Sequence, residues 1–425
     1  MKQLGKLVLW QRAKEYLKKY KPIVIGVAGS TGKTITKDAI AIVLEGSYKV
    51  RSTPFSYNTR VGVALSVLGI NRSIIRSNWV RLLTSSKLKE LVAVEPDVVV
   101  LELGADRPGD IDYFVRHIPF NFGVITNVQS THLRLFTNKE YVAHEMKSLA
   151  VKSGVVILNA DDPLVISMQN QIEASVVSYG ESDTATIKLV RFQRLGTYGF
   201  AYEVSVAGKI YELHLPNIVA AHHIPHILAA LAVAHTMKVS IASAVERLQS
   251  IQPPPGRMRL LKGYNRAKIL DDSYSGSPES TLAALNLLKD LPAKRRIAIL
   301  GDMLDLGAET IGTHRHIGER AAEIAEVFVT VGPNMRHAGA AALDTGDVDV
   351  HHFEKSSDVG KWLHDFLNMD DLVLIKGSRN MHMEKVVRRL LADPGKDTNK
   401  IIHYTCHFFH FGLSFTSNQA SSSSG

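Results

Sequence analysis

Cysteine is almost missing from this 425-residue sequence: Cys406 stands alone, so no internal disulfide can form. A lone thiol fits a reducing cytosol better than a secreted compartment. No apolar stretch reaches the 18 or so residues of a membrane span. The start has only a short apolar run, Leu7 to Trp10, too brief for a signal peptide. No long basic block suggests a nucleic-acid arm. Nothing in the composition points to disorder either, since 45% of residues are hydrophobic and 21% charged. At roughly 150 residues per domain, the length allows about three domains.

What is present is a modest cationic excess, 50 Lys and Arg against 41 Asp and Glu, spread along the chain. It suits small anionic partners such as nucleotides. Residues 1–20 read as a short basic amphipathic helix that packs on its own domain or, alternatively, lies on a membrane surface. From residue 23, short β-branched runs at 23–28, 98–103, 123–127 and 155–159 alternate with helical periods, the pattern of βαβ units and a mainly parallel sheet. Ligands bind such sheets beyond the carboxyl ends of the strands. Between 176 and 215 the shorter alternating runs predict an antiparallel insertion, followed by a helix over about 220–237. Pro253, Pro254, Pro255 and Gly256 form the best linker in the chain. Strand runs at 267–270, 296–300, 327–331 and 372–375 then predict a second, smaller Rossmann-like α/β domain. The expected divisions are 1–254, 255–397 and an unassigned tail, 398–425.

Chemistry concentrates at Gly29-Ser30-Thr31-Gly32-Lys33-Thr34, between a strand and a helix expected over 36–44. Such a turn aims backbone N–H groups at phosphate, supplies a lysine for the β- and γ-phosphates and sets a hydroxyl on Mg²⁺. Val27 stands where the strict motif has its first glycine, so the fit is to a shorter G-x-x-G-K-T form. The alternative is a glycine turn that merely starts a helix. Glu102 is a lone carboxylate in the apolar strand 98–103, a costly placement unless it is paired or on a metal; an edge strand facing water is the other reading. His132, five residues past the strand at 123–127, is a metal or phosphate ligand or a surface histidine.

Several blocks in order carry a wider resemblance: Gly29 to Thr34, Glu102-Leu103-Gly104-Ala105, Ile125-Thr126-Asn127, Thr131-His132-Leu133 and Leu158-Asn159-Ala160-Asp161-Asp162-Pro163. Beyond the linker come Pro255-Gly256-Arg257-Met258, Asp271-Asp272-Ser273-Tyr274, the run 300–307, His314-Arg315 and Lys376-Gly377-Ser378-Arg379. Over about residues 5 to 395 the chain resembles the Mur ligases, with a P-loop-type central domain. The later blocks are most similar to the branch that joins D-alanyl-D-alanine to a UDP-N-acetylmuramoyl tripeptide in cytoplasmic peptidoglycan precursor synthesis. The resemblance implies ATP and Mg²⁺, an acyl phosphate intermediate and small-molecule substrates. Another Mur-type ligase, or a nucleotide-binding partner subunit without activity, are the alternatives.

Carried over by position, the resemblance implies Lys33 on the β- and γ-phosphates, and Thr34, Glu102 and His132 on metal. Arg257 reaches ATP across the domains, and Asp272 meets the ribose, or else caps a strand end. Asn58 and Thr59 lie on the substrate side; Lys376, Ser378 and Arg379 face the incoming amine, or form a solvated basic turn. Lys147 is the candidate for a carbamoylated metal-binding lysine, or is an exposed helix lysine. His223 and His226 occupy the positions of two adenine-reading asparagines, which implies altered base recognition because an imidazole cannot reproduce an amide's donor–acceptor pair. Arg60 stands where an acid is expected. Only 28 residues precede the phosphate loop, so the usual UDP-binding N-terminal domain is expected to be missing. UDP affinity then comes from the remaining domains or a separate UDP-binding partner, or the substrate differs.

Overall fold

A computed structural model describes residues 2–54, 56–70, 95–129, 138–397 and 401. The first sheet is built from β1 (Ile23–Ala28), β2 (Val50–Ser52), β3 (Val98–Glu102), β4 (Phe120–Ile125), β5 (Ser153–Asn159), β6 (Ser175–Gly180), β7 (Ile187–Arg194), β8 (Phe200–Val206) and β9 (Lys209–Leu215). Their order across the sheet is β2-β3-β1-β4-β5-β6-β7-β8-β9. After β1 the chain moves to one side for β2 and β3, then to the other for β4. The carboxyl end of β1 is therefore a switch point, where an open parallel sheet leaves a crevice.

The strands are nearly continuous apolar runs because helices cover both faces. Ile25 and Val27 of β1 face a core shared with α2 (Lys33–Leu44) and a later helix; Val24 and Ala28 face the opposite core. That second core includes Leu9, Trp10, Ala13, Tyr16 and Leu17 of α1 (Lys2–Tyr20), together with Leu65 and Leu68 of α3 (Arg60–Leu68). Trp10 meets the Tyr113 ring edge-on at 5.4 Å, on α4 (Asp110–Val115). The first helix thus packs on its own sheet, and each fully buried leucine in it contributes roughly 1.5–3 kcal/mol.

The antiparallel arrangement expected within 176–215 is found for the three runs from residue 187 onward and is corrected for 176–180. β6 runs parallel to β5, and β7 joins β6 in parallel; only β7, β8 and β9 form an antiparallel meander, and it extends the same sheet. Half-buried β6 lacks the continuous apolar run of the central strands, which hid its parallel partner. α5 (Lys139–Val151) precedes β5, and α6 (Ile224–Thr236) follows the meander with Pro225 in its first turn, where a missing N–H is tolerated. α7 (Ile241–Leu248) leads to the proline linker.

A second sheet follows: β10 (Arg259–Lys262), β11 (Lys268–Asp272), β12 (Arg295–Gly301), β13 (Val327–Val331), β14 (Asp349–Phe353) and β15 (Asp371–Lys376), in the order β10-β11-β15-β12-β13-β14. β10 is antiparallel and the others parallel. β10 and β14 escape sequence reading because they are short and only partly buried. Arg259 pairs with Asp271, so the linker residues just before β10 sit at the carboxyl end of β11. The tail assigned to 398–425 lies outside the described residues except for Ile401.

Candidate functional site

At the end of β1 the chain turns through Gly29 (φ 139°) and Gly32 (φ 76°) into α2, which starts at Lys33 rather than Thr36. A side chain at Gly32 would strike the His226 ring, whose Cε1 lies 2.0 Å from the position of a Cβ. The loop is clipped to the end of β4. Asn127 O accepts from Ser30 N at 2.9 Å, Asn127 Oδ1 accepts from Thr31 N at 2.9 Å, and Thr126 Oγ1 donates to Thr31 O at 2.7 Å. Lys33 Nζ folds back to donate to Gly29 O at 2.6 Å and Ser30 O at 3.0 Å. Gly32 offers no side-chain cap, so the first N–H groups of α2 and the lysine converge on one place, as an anion site requires. Burial pushes the Lys33 ammonium below its ordinary pKa; Glu102 opposes that shift and the Arg257 charge adds to it.

Glu102 closes β3 and is 2% exposed. Its Oε2 accepts from Thr34 Oγ1 at 2.9 Å, and its Oε1 from Asn58 Nδ2 at 3.0 Å. Ser56 Oγ lies 3.3 Å from Thr34 Oγ1. Among the described residues the carboxylate has no ion-pair partner, and a buried charge held only by neutral donors fits a site that receives a cation. The atoms that could ligate it, Thr34 Oγ1, Ser56 Oγ and the Glu102 carboxylate, are oxygens, as Mg²⁺ prefers. Among the described residues no group of three or more His, Cys, Asp or Glu side chains is arranged to hold a metal ion, so a cation here would complete its shell with phosphate oxygens and water. His132 lies outside the described residues.

The second sheet presents its crest to this crevice. Gly256 N donates to Asp271 Oδ2 and Met258 N to Asp272 Oδ1, each at 3.1 Å, which places Arg257 between them. The Arg257 guanidinium lies 4.1 Å over the Tyr274 ring. Arg257 O faces His223 Nε2 at 3.3 Å, tying the crest to the start of α6, whose His226 lies against the phosphate loop. Burial pushes His226 down to about 3 and His223 well below its ordinary value, so both rings are neutral. Their Nδ1 atoms are buried without a hydrogen-bond partner among the described residues.

Residues 27–234 match the model of the Mur ligase middle domain, and residues 256–379 match that of the Mur ligase, glutamate ligase domain. The chain belongs to the Mur ligase family. It is 28% identical over 393 residues to the UDP-N-acetylmuramoyl-tripeptide–D-alanyl-D-alanine ligase of Bacillus subtilis (strain 168), covering 91% of this chain and 79% of the relative. The enzyme of the same name from Mycobacterium leprae (strain TN) is 27% identical over 402 residues, covering 87% and 74%. Among solved structures, a MurF from Acinetobacter baumannii aligns with a TM-score of 0.77 at 22% identity, covering 90% and 79%. MurF ligase from Thermotoga maritima in complex with ADP aligns with a TM-score of 0.72 at 23% identity, covering 90% and 83%. These two likenesses establish the Mur ligase fold.

Within this Mur ligase, the residues singled out from the sequence separate into groups. Thr34 and Asn58, the latter expected on the substrate side, each hydrogen-bond Glu102. Thr59 caps α3 by accepting from Gly62 N at 3.2 Å. Arg60 pairs with Asp110 and stacks on Tyr113. Asp272 and Lys376, expected on different ligands, pair at 2.6 Å. Ser378 Oγ accepts from Leu304 N, and Arg379 pairs with the buried Glu384. Lys147 is not brought to the Glu102 cluster; its ammonium donates to Gln171. Sequence reasoning gave no role to Ser56, to Tyr274, or to Glu145, which accepts from Gly109 N and Ile111 N at the start of α4. A carboxylate two turns into a polar helix carries no signal of that distant cap.

Proposed function

We propose that this Mur ligase uses ATP to join D-alanyl-D-alanine to a UDP-N-acetylmuramoyl tripeptide. The convergence of the glycine loop, the Glu102 cluster and Arg257 on one crevice carries the reading, and the named relatives spanning about nine tenths of the chain support the substrate assignment. Residues 1–254 act as the ATP-binding unit and residues 255–397 as the unit that brings Arg257.

In the first step a carboxylate oxygen of the tripeptide attacks the γ-phosphorus, and the bond to the β-phosphate oxygen breaks to release ADP. The free amine of D-alanyl-D-alanine then attacks the acyl carbon, loses a proton, and expels inorganic phosphate as the amide forms. Lys33 leaves its two loop carbonyls to bind the β- and γ-phosphates, and the amides opening α2 hold the same oxygens. Arg257 offsets charge on the phosphoryl group in transit. Thr34 and Glu102, with His132 as the further candidate, would hold Mg²⁺, which supplies Lewis-acid polarisation of the phosphoryl oxygens. His223 and His226 line the nucleotide side with neutral rings. Among the described residues no helix is long and apolar enough to cross a membrane, and we place the reaction with its nucleotide-linked substrates in the cytoplasm.

The test is phosphate release from ATP with UDP-N-acetylmuramoyl tripeptide and a panel of amines. Release that requires D-alanyl-D-alanine, ignores single amino acids and disappears in Lys33→Ala is expected. Release with a single amino acid instead points to another Mur-type ligase. No stimulation by any amine or acyl acceptor would favour a nucleotide-binding subunit, and activity appearing only with a second polypeptide would reveal a separate UDP-binding partner.

A further inference from the structure

Arg257 is an unusual cation in this molecule. Its guanidinium makes no hydrogen bond or ion pair among the described residues, yet its charge is felt at Lys33 and His226. What it rests on is the face of Tyr274, 4.1 Å from the ring centroid. Arg379 stands 5.8 Å from the same ring but is anchored by Glu384, itself 1% exposed. Tyr274 is fixed in turn, because its N–H donates to Gly256 O at 3.0 Å, on the residue before Arg257.

From this geometry we infer that Tyr274 is a positioning residue that holds Arg257 in the crevice by its aromatic face. The choice of an aromatic partner has a chemical consequence. A carboxylate would take the guanidinium edge in a bidentate pair and occupy the N–H groups that a phosphate needs. A π face binds the plane of the cation and leaves its in-plane donors open. It also offsets the repulsion that Arg257 meets from Lys33 and from Arg379 on the same ring, without neutralising Arg257. The two arginines therefore differ: Arg379 is committed to Glu384, whereas Arg257 is held and still able to bind an anion. This inference rests on the proposed role of Arg257 in ATP-dependent ligation.

The experiment measures steady-state phosphate release, with ATP varied, for the full chain and for Tyr274→Leu, Tyr274→Phe, Arg257→Ala and the double variant Tyr274→Leu/Arg257→Ala. Tyr274→Leu is expected to lower kcat about tenfold with KM for ATP changed less than about threefold, since the lost contact acts on phosphoryl transfer. Tyr274→Phe, which keeps the π face, is expected within about twofold of the parent. The double variant is expected to be no slower than Arg257→Ala alone, because the ring acts through the arginine. If Tyr274→Leu loses its thermal transition, Tyr274→Met replaces it, an adaptable side chain without an aromatic face. A leucine or methionine variant at parental rate, a phenylalanine variant as slow as leucine, or multiplicative losses in the double variant each overturn the inference while leaving the ligase reading intact. Arg257→Ala at parental rate removes the role of Arg257 and this inference with it. A parent chain that cleaves no ATP with any acyl acceptor overturns the ligase reading first.

Discussion

Thr34 Oγ1 donates to Glu102 Oε2 at 2.9 Å, joining the first turn of α2 to the last residue of β3 beneath the phosphate loop. Asn58 satisfies the other carboxylate oxygen. Both donors are neutral, so the full negative charge of Glu102 is stored next to the place where the α2 amides and Lys33 collect phosphate. Glu102→Gln keeps the shape and removes the charge. It is expected to lower ligation at least about 100-fold and to raise the Mg²⁺ concentration needed for half-maximal rate, with little change in thermal midpoint. A glutamine variant that keeps a tenth of the parental rate at the same Mg²⁺ requirement would remove Glu102 from the metal site.

Gly32 is needed for two separable reasons. Its φ of 76° disfavours any L-residue by roughly 1–2 kcal/mol, and a methyl there would overlap the His226 ring. Gly208, in the tight turn between β8 and β9, has a similar φ of 82° but nothing within 4 Å of a Cβ. Comparing the two alanine variants isolates the steric part. Gly208→Ala is expected to lose only the backbone contribution and to leave nucleotide binding alone, whereas Gly32→Ala is expected to weaken ADP binding by more than about tenfold in a calorimetric titration. Equal ADP affinities in the two variants would sink the claim that the ring and the loop are packed as a unit.

Much of this site was legible because sequence order and chemistry agree. A β-branched run, a glycine turn, a lysine and a helical period identify the phosphate loop. One acid in an apolar strand identifies Glu102, and the Pro255-Gly256-Arg257-Met258 block just past the linker identifies Arg257 by its resemblance to the Mur ligases. What could not be read depends on register and on distant packing. Asp272 faces Lys376 because β11 and β15 pair in parallel with those residues opposed, a match no local pattern encodes. His226 meets Gly32 only because α6 packs across α2. Thr59 sits beside Asn58 yet caps a helix, because hydroxyls at helix starts find backbone N–H groups before they find ligands.

The buried histidines set an acid limit on the fold. His226 is pushed down to about 3, first by burial and then by the neighbouring His222, Lys33 and Arg257 charges, whereas in the unfolded chain it titrates near 6.5. Below pH 6.5 the unfolded state therefore binds the extra proton, so this contribution to stability is present at neutral pH and is lost as pH falls toward 3. Asp271 runs the other way: burial pushes it up to about 6, and its contribution is lost as pH rises from about 4 to 6. Replacing His226 with Gln should flatten the fall in thermal midpoint between pH 6.5 and 4.5 relative to the parent. Parallel curves for parent and variant across that range would show that His226 is not buried neutral.

The Asp272–Lys376 pair decides how two of the sequence-selected residues act. Lys376 Nζ is 2.6 Å from Asp272 Oδ2 and 2.8 Å from Ser275 O, with the lysine side chain 2% exposed. Asp272 Oδ1 meanwhile accepts from Met258 N, so the pair ties β11 and β15 to the segment carrying Arg257. Removing one member leaves the other charge buried without a partner, which destabilises by roughly 3–5 kcal/mol, whereas removing both is far milder. Lys376→Met and Asp272→Asn should each lower the thermal midpoint strongly, and the double variant should recover much of the loss. A residue whose main task is to contact ligand behaves differently: its single variant keeps its midpoint and loses affinity for ATP or D-alanyl-D-alanine. Full thermal stability in Lys376→Met would thus return the lysine to the substrate, and recovery in the double variant would assign the pair to holding Arg257 over the crevice.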